Sequence, residues 1–234
     1  MLQSDDYSKN IKPVAVIHSD FSEKFGIPRQ AGLVPELEAR VELLHEFSHE
    51  EAVRELETFS HIWLILGFSE NGESSSLTVR PPRLGGSTRV GVFASRSPFR
   101  PNGLGLSAVK LKKIERSSNG TVSLIVSGAD MLDGTPVYDI KPYIPISDCV
   151  PDALEGYTAE TKQHKLKVVY KPEVSDALDA LGEKKQALIG ILEQDPRQTY
   201  FQEPSRIYGL AFAGFNIKFK VTDCILEILD VQKL

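Results

Sequence analysis

One long stretch of this acidic chain contains no acid at all. From Ser74 to Ile114 there is neither Asp nor Glu, although the 234 residues carry 32 acids against 27 Lys and Arg, a net charge of −5. Eight of the basic residues lie in that window, which leaves 19 against 32 elsewhere. The net charge excludes a wholly basic nucleic-acid coat protein. The segregation points to a local anion site, for phosphate or nucleic acid, with a solvated basic face as the alternative. Cysteine is nearly absent. Cys149 and Cys224 stand far apart without metal-ligand spacing, which argues against a disulfide framework or a thiolate zinc site and suits a reducing compartment. The five histidines show no HxH spacing, and their one HExxH match, His45 to His49, falls between a strand ending at Leu44 and a helix starting at Glu50 rather than within a helix, so a metal-dependent hydrolase is disfavoured. The longest apolar run, Ile62 to Phe68, is too short to span a bilayer. The start, MLQSDDYSKN, is polar and acidic, unlike a secretory signal. The expected setting is cytoplasmic, with no membrane partner. No GxGxxG follows a strand, and no strand–helix unit repeats, which disfavours a doubly wound nucleotide fold.

What is present reads mainly as short strands. Pro13 to His18, Ala39 to Leu44, Ser60 to Phe68, Val90 to Ala94, Gly105 to Glu115, Thr121 to Ser127 and an extended run from Pro136 to Ile140 are separated by turn signals. Alternation sets Val109, Leu111 and Lys113 on one face of their strand. One helix is expected over Glu50 to Leu56, with acids in its first turn. Ser19 to Pro35 reads as a long loop of functional length. This pattern gives a small β-barrel or sandwich. Cys149 to His164 is polar and turn-rich, a linker. Beyond it, two helical stretches supply an apolar stripe of Leu178, Leu181, Leu188 and Leu192, and three strands follow. The expected fold is mainly β: an N-terminal barrel with a short helix over 8–150, and a small α+β domain over 165–234.

The basic centre carries Arg80, Arg83, Arg89, Arg96 and Arg100 among prolines and glycines. Several long segments there and elsewhere, KFGIPRQ, FSHIW, TVRPPRLGG, GVFASRSPFRPN, LDGTPVYDIKPYIP and DPRQTY, resemble the TrmO (TsaA-like, YaeB) family. Its members are methyltransferases acting on N6-threonylcarbamoyladenosine at position 37 of tRNA. The resemblance runs over nearly the whole chain. It implies S-adenosyl-L-methionine held on a small barrel, in a homodimer with the cofactor near the subunit contact. The family's cofactor motifs fall on Pro28, Arg29, Gln30, Arg96 and Leu106, and on the turn Leu132, Asp133, Gly134, Thr135. Ser69 and Glu70 stand where the family has a His and a polar residue, and Gly103-Leu104 replaces Pro-Ile.

The chemistry of such a ligand suits these residue types. A carboxylate takes an arginine fork, for which Arg29 and Arg96 are candidates. Asp133-Gly134 offers backbone at close approach. The target nitrogen, between a purine and a carbonyl, is a poor nucleophile while protonated, and Asp139 is a candidate base, with pairing to Lys141 as the alternative. Arg80, Arg83, Arg89 and Arg100 are candidates for the tRNA backbone, Phe99 for stacking, and Arg197, Tyr200, Lys218 and Lys220 for a second tRNA surface. Two other readings stay open: a non-catalytic module binding RNA and cofactor, and a small-molecule methyltransferase.

Overall fold

The computed structural model describes residues 9–71, 76–85, 87–159, 165–197, 203 and 206–234, with only the backbone of Arg83. In chain order the first half gives β1 (Ala15–His18), β2 (Glu38–Leu43), α1 (Glu50–Val53), β3 (His61–Gly67), β4 (Thr78–Val79), β5 (Val90–Gly91), β6 (Leu104–Arg116), β7 (Val122–Ser127) and β8 (Pro136–Pro142). Six of these close an antiparallel barrel in the order β1-β2-β7-β6-β3-β8, with β8 returning to β1. Closure leaves this sheet without free edges. The period-two pattern explains the interior. Val41, Ile62, Leu64, Leu124 and Val126 point inward and are fully buried, while Trp63 and Ile65, one step out of phase on β3, lie on the outer wall.

Three local expectations are corrected. The helix expected to Leu56 stops at Val53, and Glu55 then adopts a left-handed conformation, with φ 66°. Of the strand expected from Val90 to Ala94 only Val90–Gly91 pairs, and Val92–Ala94 turns as a 3-10 helix. On β6 the register shifts between Leu111 and Lys113. The bulge reverses the phase, so Ile114 rather than Lys113 packs on the core behind Leu111.

The second half gives α2 (Pro145–Asp148), β9 (Lys167–Tyr170), α3 (Pro172–Asp179), α4 (Lys184–Glu193), β10 (Ile207–Phe212), β11 (Phe215–Thr222) and β12 (Ile225–Lys233). The sheet order is β10-β11-β12-β9, with β9 parallel to β12. The short KVVY run of β9 was not expected as a strand. Leu178 of α3, Leu181 of the turn after it, and Leu188 and Leu192 of α4 pack with Leu210, Ile217, Phe219 and Leu226 of the sheet.

This second core also takes in Phe21, Val34 and Leu37, from the loop between β1 and β2. Asp20 O accepts the backbone N–H of Ala213 at 3.1 Å, and the Asp20 carboxylate meets Lys184 Nζ at 2.5 Å. Gly26 has φ +91°, and a β-carbon built there would lie 2.3 Å from Cδ1 of the fully buried Leu210. Only glycine fits both demands. The loop is thus gripped from the C-terminal side. It touches the barrel at Gly32, whose N–H bonds Gly128 O at 2.8 Å.

Candidate active site

The barrel's outer wall, that loop and the basic centre enclose a hollow of about 890 Å³. Its floor comes from cross-strand pairs. Trp63 stands opposite Ala108 and Ile65 opposite Leu106 in the β3–β6 ladder, and all four line the hollow. The Trp63 indole is held in place by a hydrogen bond to Asp148 Oδ2 at 2.9 Å. That bond, after the Ile144 N–H, keeps the Asp148 carboxyl below its ordinary range. One rim is Pro28 to Ala31, and the facing rim is Phe93, Ser95, Arg96, Pro98 and Arg100 to Asn102.

The rims meet through guanidinium chemistry. Arg96 Nη1 donates to Gln30 Oε1, and Gln30 Nε2 donates to Arg29 O at 2.6 Å. Arg100 Nη1 donates to Ser95 O at 2.9 Å and so ties its own rim into a turn. The Arg29 guanidinium makes no hydrogen bond or ion pair among the described residues. It leaves a complete donor fork on the rim, facing the hollow. Leu106 is more than half exposed on the floor and Phe93 is 79% exposed at the mouth.

Asp130 is the one carboxylate among the described residues that line the hollow. It accepts from the buried Ser107 Oγ at 2.8 Å. Burial pushes its carboxyl above the ordinary carboxylate range. The Ser107 hydroxyl, the backbone N–H groups of Asp130 and Ala31 and the Arg96 charge pull the other way. Neither Asp130 nor Phe93 was picked out from the sequence. Phe93 was hidden by its assignment to a strand. The only signal for Asp130 was a carboxylate three residues ahead of the Asp133-Gly134 turn.

The other candidates divide. Pro28, Arg29, Gln30, Arg96 and Leu106 share the hollow. Within one chain Ser69, Glu70 and Leu132 to Thr135 do not line it. Glu70 O accepts from Lys24 Nζ at 2.9 Å. The Asp133 turn closes onto the far end of the loop, where Asp133 Oδ1 accepts the Ser19 N–H at 3.0 Å and Leu132 packs on the second core. Asp139 lies on the strand beside the hollow and outside its lining, with its carboxylate 3.0 Å from Lys141 Nζ.

Among the RNA candidates, Arg80 is exposed and unpaired among the described residues, and Phe99 is 53% exposed. Arg89 clamps its own hairpin through Thr78 Oγ1 at 2.7 Å. Arg197 is buried and forks onto Asp195 with two bonds of 2.8 Å. Lys218 and Lys220 face Asp230 and Glu227 across the strand at 3.5 and 2.8 Å, so their charges are largely matched. Tyr200 and the Arg83 side chain lie outside the described residues.

An apolar floor for a flat ring, an unpaired arginine fork for a carboxylate and a volume within the range of small-molecule sites fit S-adenosyl-L-methionine. Together with a closed barrel in place of a doubly wound sheet, they define a barrel-type methyltransferase. The comparisons agree: residues 16–149 match the tRNA-methyltransferase O N-terminal domain and residues 163–234 the TrmO C-terminal domain. The chain belongs to the TrmO family. It is 38% identical over 232 residues to the tRNA (adenine(37)-N6)-methyltransferase of Escherichia coli strain K12, covering 96% of this chain and 98% of that protein. It is 39% identical over 230 residues to a Pseudomonas aeruginosa protein named putative S-adenosylmethionine-dependent methyltransferase RcsF, covering 95% and 97%. A crystal structure of TrmO from the same species superposes with a TM-score of 0.80 at 34% identity, covering 97% of this chain and 98% of that one.

Proposed function

We propose that this protein transfers a methyl group from S-adenosyl-L-methionine to N6 of adenine 37 in tRNA, and that its target base is N6-threonylcarbamoyladenosine. The observation that carries the reading is the joining of Arg96 to Gln30 beside the free fork of Arg29, at one hollow. Two segments far apart in sequence meet there in a way that suits a carboxylate-bearing donor. Arg29 and Arg96 hold that carboxylate, while Trp63, Ile65, Leu106 and Ala108 form the apolar floor. The cofactor, when bound, supplies a methyl group on a cationic sulfur. The chain's part is to fix the donor against the wall, shed water and admit the base in line. Positioning of this kind is worth up to roughly 7–11 kcal/mol.

The tRNA backbone is met by Arg80 and by cations of the mouth, and the exposed rings of Phe93 and Phe99 offer stacking faces for bases of the anticodon loop. A homodimer with the donor near the subunit contact would let the Asp133 turn, remote from the hollow in one chain, reach the donor of the second copy. Among the described residues no helix is long and apolar enough to cross a membrane. A cytoplasmic enzyme of two domains, 8–150 and 165–234, is the corresponding picture.

Nucleoside mass spectrometry of tRNA from cells lacking the protein tests the activity. The N6-methyl form of threonylcarbamoyladenosine should vanish, and return with wild type but not with Arg29→Ala. Unchanged nucleosides would contradict it.

A further inference from the structure

The carboxylate of Asp130 is a buried acid that accepts from Ser107 Oγ and from the backbone N–H groups of Asp130 and Ala31. It sits after β7, on the wall of the hollow, within reach of Arg96 and hydrogen-bonded to Ser107 Oγ at 2.8 Å. Burying a carboxylate costs stability unless it is matched by partners, and among the described residues lining this hollow it is the only acid.

Building on the methyl-transfer reading, the structure assigns Asp130 as the proton acceptor for the target nitrogen, with Ser107 as the residue that orients it. The electronic demand is specific. A nitrogen between a purine and a carbonyl has its lone pair delocalised, and it attacks well only as its proton is taken. As the nitrogen–carbon bond forms, the sulfur–methyl bond breaks and its electron pair stays on sulfur, which becomes neutral. The nitrogen's proton passes to the Asp130 carboxylate, and the resulting acid returns it to water after the methylated base leaves.

Two observations favour this role. Asp130 stands on the wall of the hollow that receives the donor, held there by Ser107 Oγ at 2.8 Å. The burial that raises the carboxyl's proton affinity also makes it a better base near neutral pH. Asp139, the other candidate, is paired with Lys141 outside the lining.

Asp130→Asn tests this, since an amide oxygen still accepts from Ser107. Donor affinity by calorimetry should stay within about threefold of wild type, while the single-turnover rate at saturating donor falls by about 10²-fold or more. The wild-type rate should rise with pH to a plateau, and that rise should be lost in the variant. Ser107→Ala should lower the rate less, with the break moved in pH. Donor binding weakened more than tenfold with an unchanged saturating rate would overturn the proposal and make Asp130 a grip on the ammonium. Both quantities unchanged would also overturn it. Failure of the wild type itself to bind the donor or transfer methyl would instead strike the underlying reading, and this proposal with it.

Discussion

The two hydrophobic cores are built on different terms. The barrel fills its interior from its own strands and the segments that join them, from Ala15 through Val137. The C-terminal core is completed by Phe21, Val34 and Leu37, borrowed from the loop that carries Pro28 to Gln30 to the rim of the hollow. The floor of the site therefore belongs to the barrel, and one rim depends on the C-terminal half. Stability and ligand affinity should respond differently to damage in the two cores.

The largest expected effect separates them. Leu124→Ala and Leu210→Ala each empty a fully buried leucine site and should each cost about 2–5 kcal/mol in denaturant unfolding. Below the unfolding transition, Leu124→Ala should leave donor affinity within about twofold. Leu210→Ala, which frees the loop at Gly26, should weaken it about tenfold, a change of about 1.4 kcal/mol. Equal loss of affinity in both would break the distinction.

A second effect comes from Asp130. Its carboxyl is raised in the fold, chiefly by burial, so the native state binds that proton more tightly than the unfolded chain. Its contribution to stability is therefore greatest at low pH and falls as pH rises from the ordinary carboxylate range through the raised value. Asp130→Asn should remove that fall and be more stable than wild type at neutral pH. Denaturant titrations between about pH 4 and pH 8 should show the gap opening upward.

A smaller effect belongs to the Lys184–Asp20 contact between the two halves, which is partly exposed. Lys184→Met should cost about 1 kcal/mol or less and, by loosening the loop's anchor, raise the donor dissociation constant by up to about threefold. The smallest lies on the far sheet. Because Lys218 and Lys220 are matched by Asp230 and Glu227, replacing both with Ala should change tRNA affinity less than about twofold, while Arg80→Ala should reduce the salt dependence of binding by about one phosphate contact.

The strands were legible because period-two burial is written locally: Ile62, Leu64 and Leu66 alternate inward whatever their partners. The hollow was not legible in that way. Its floor uses the outward residues of the same strands, Trp63, Ile65, Leu106 and Ala108, and only the β3–β6 register shows that they adjoin. The arginines were conspicuous, yet their roles depend on non-local partners. Arg96 reaches Gln30 across 66 positions, while Lys218 and Lys220 are matched through the β11–β12 pairing. The cofactor motif residues could be named from the family resemblance. Asp130, Phe93 and the C-terminal anchoring of the loop needed coordinates, because they depend on a bond to Ser107, a 3-10 turn and the Gly26–Leu210 contact, which no short window encodes.

Calorimetric titration of S-adenosyl-L-methionine into wild type and Arg29→Ala, with thermal unfolding of both, addresses the arginine-rimmed hollow most directly. Loss of a charge-assisted fork of about 1.5–3 kcal/mol should weaken binding at least tenfold while the unfolding temperature stays unchanged, since Arg29 is exposed and bonds no described residue. Equal affinity in the two proteins would mean that the donor's carboxylate is seated elsewhere.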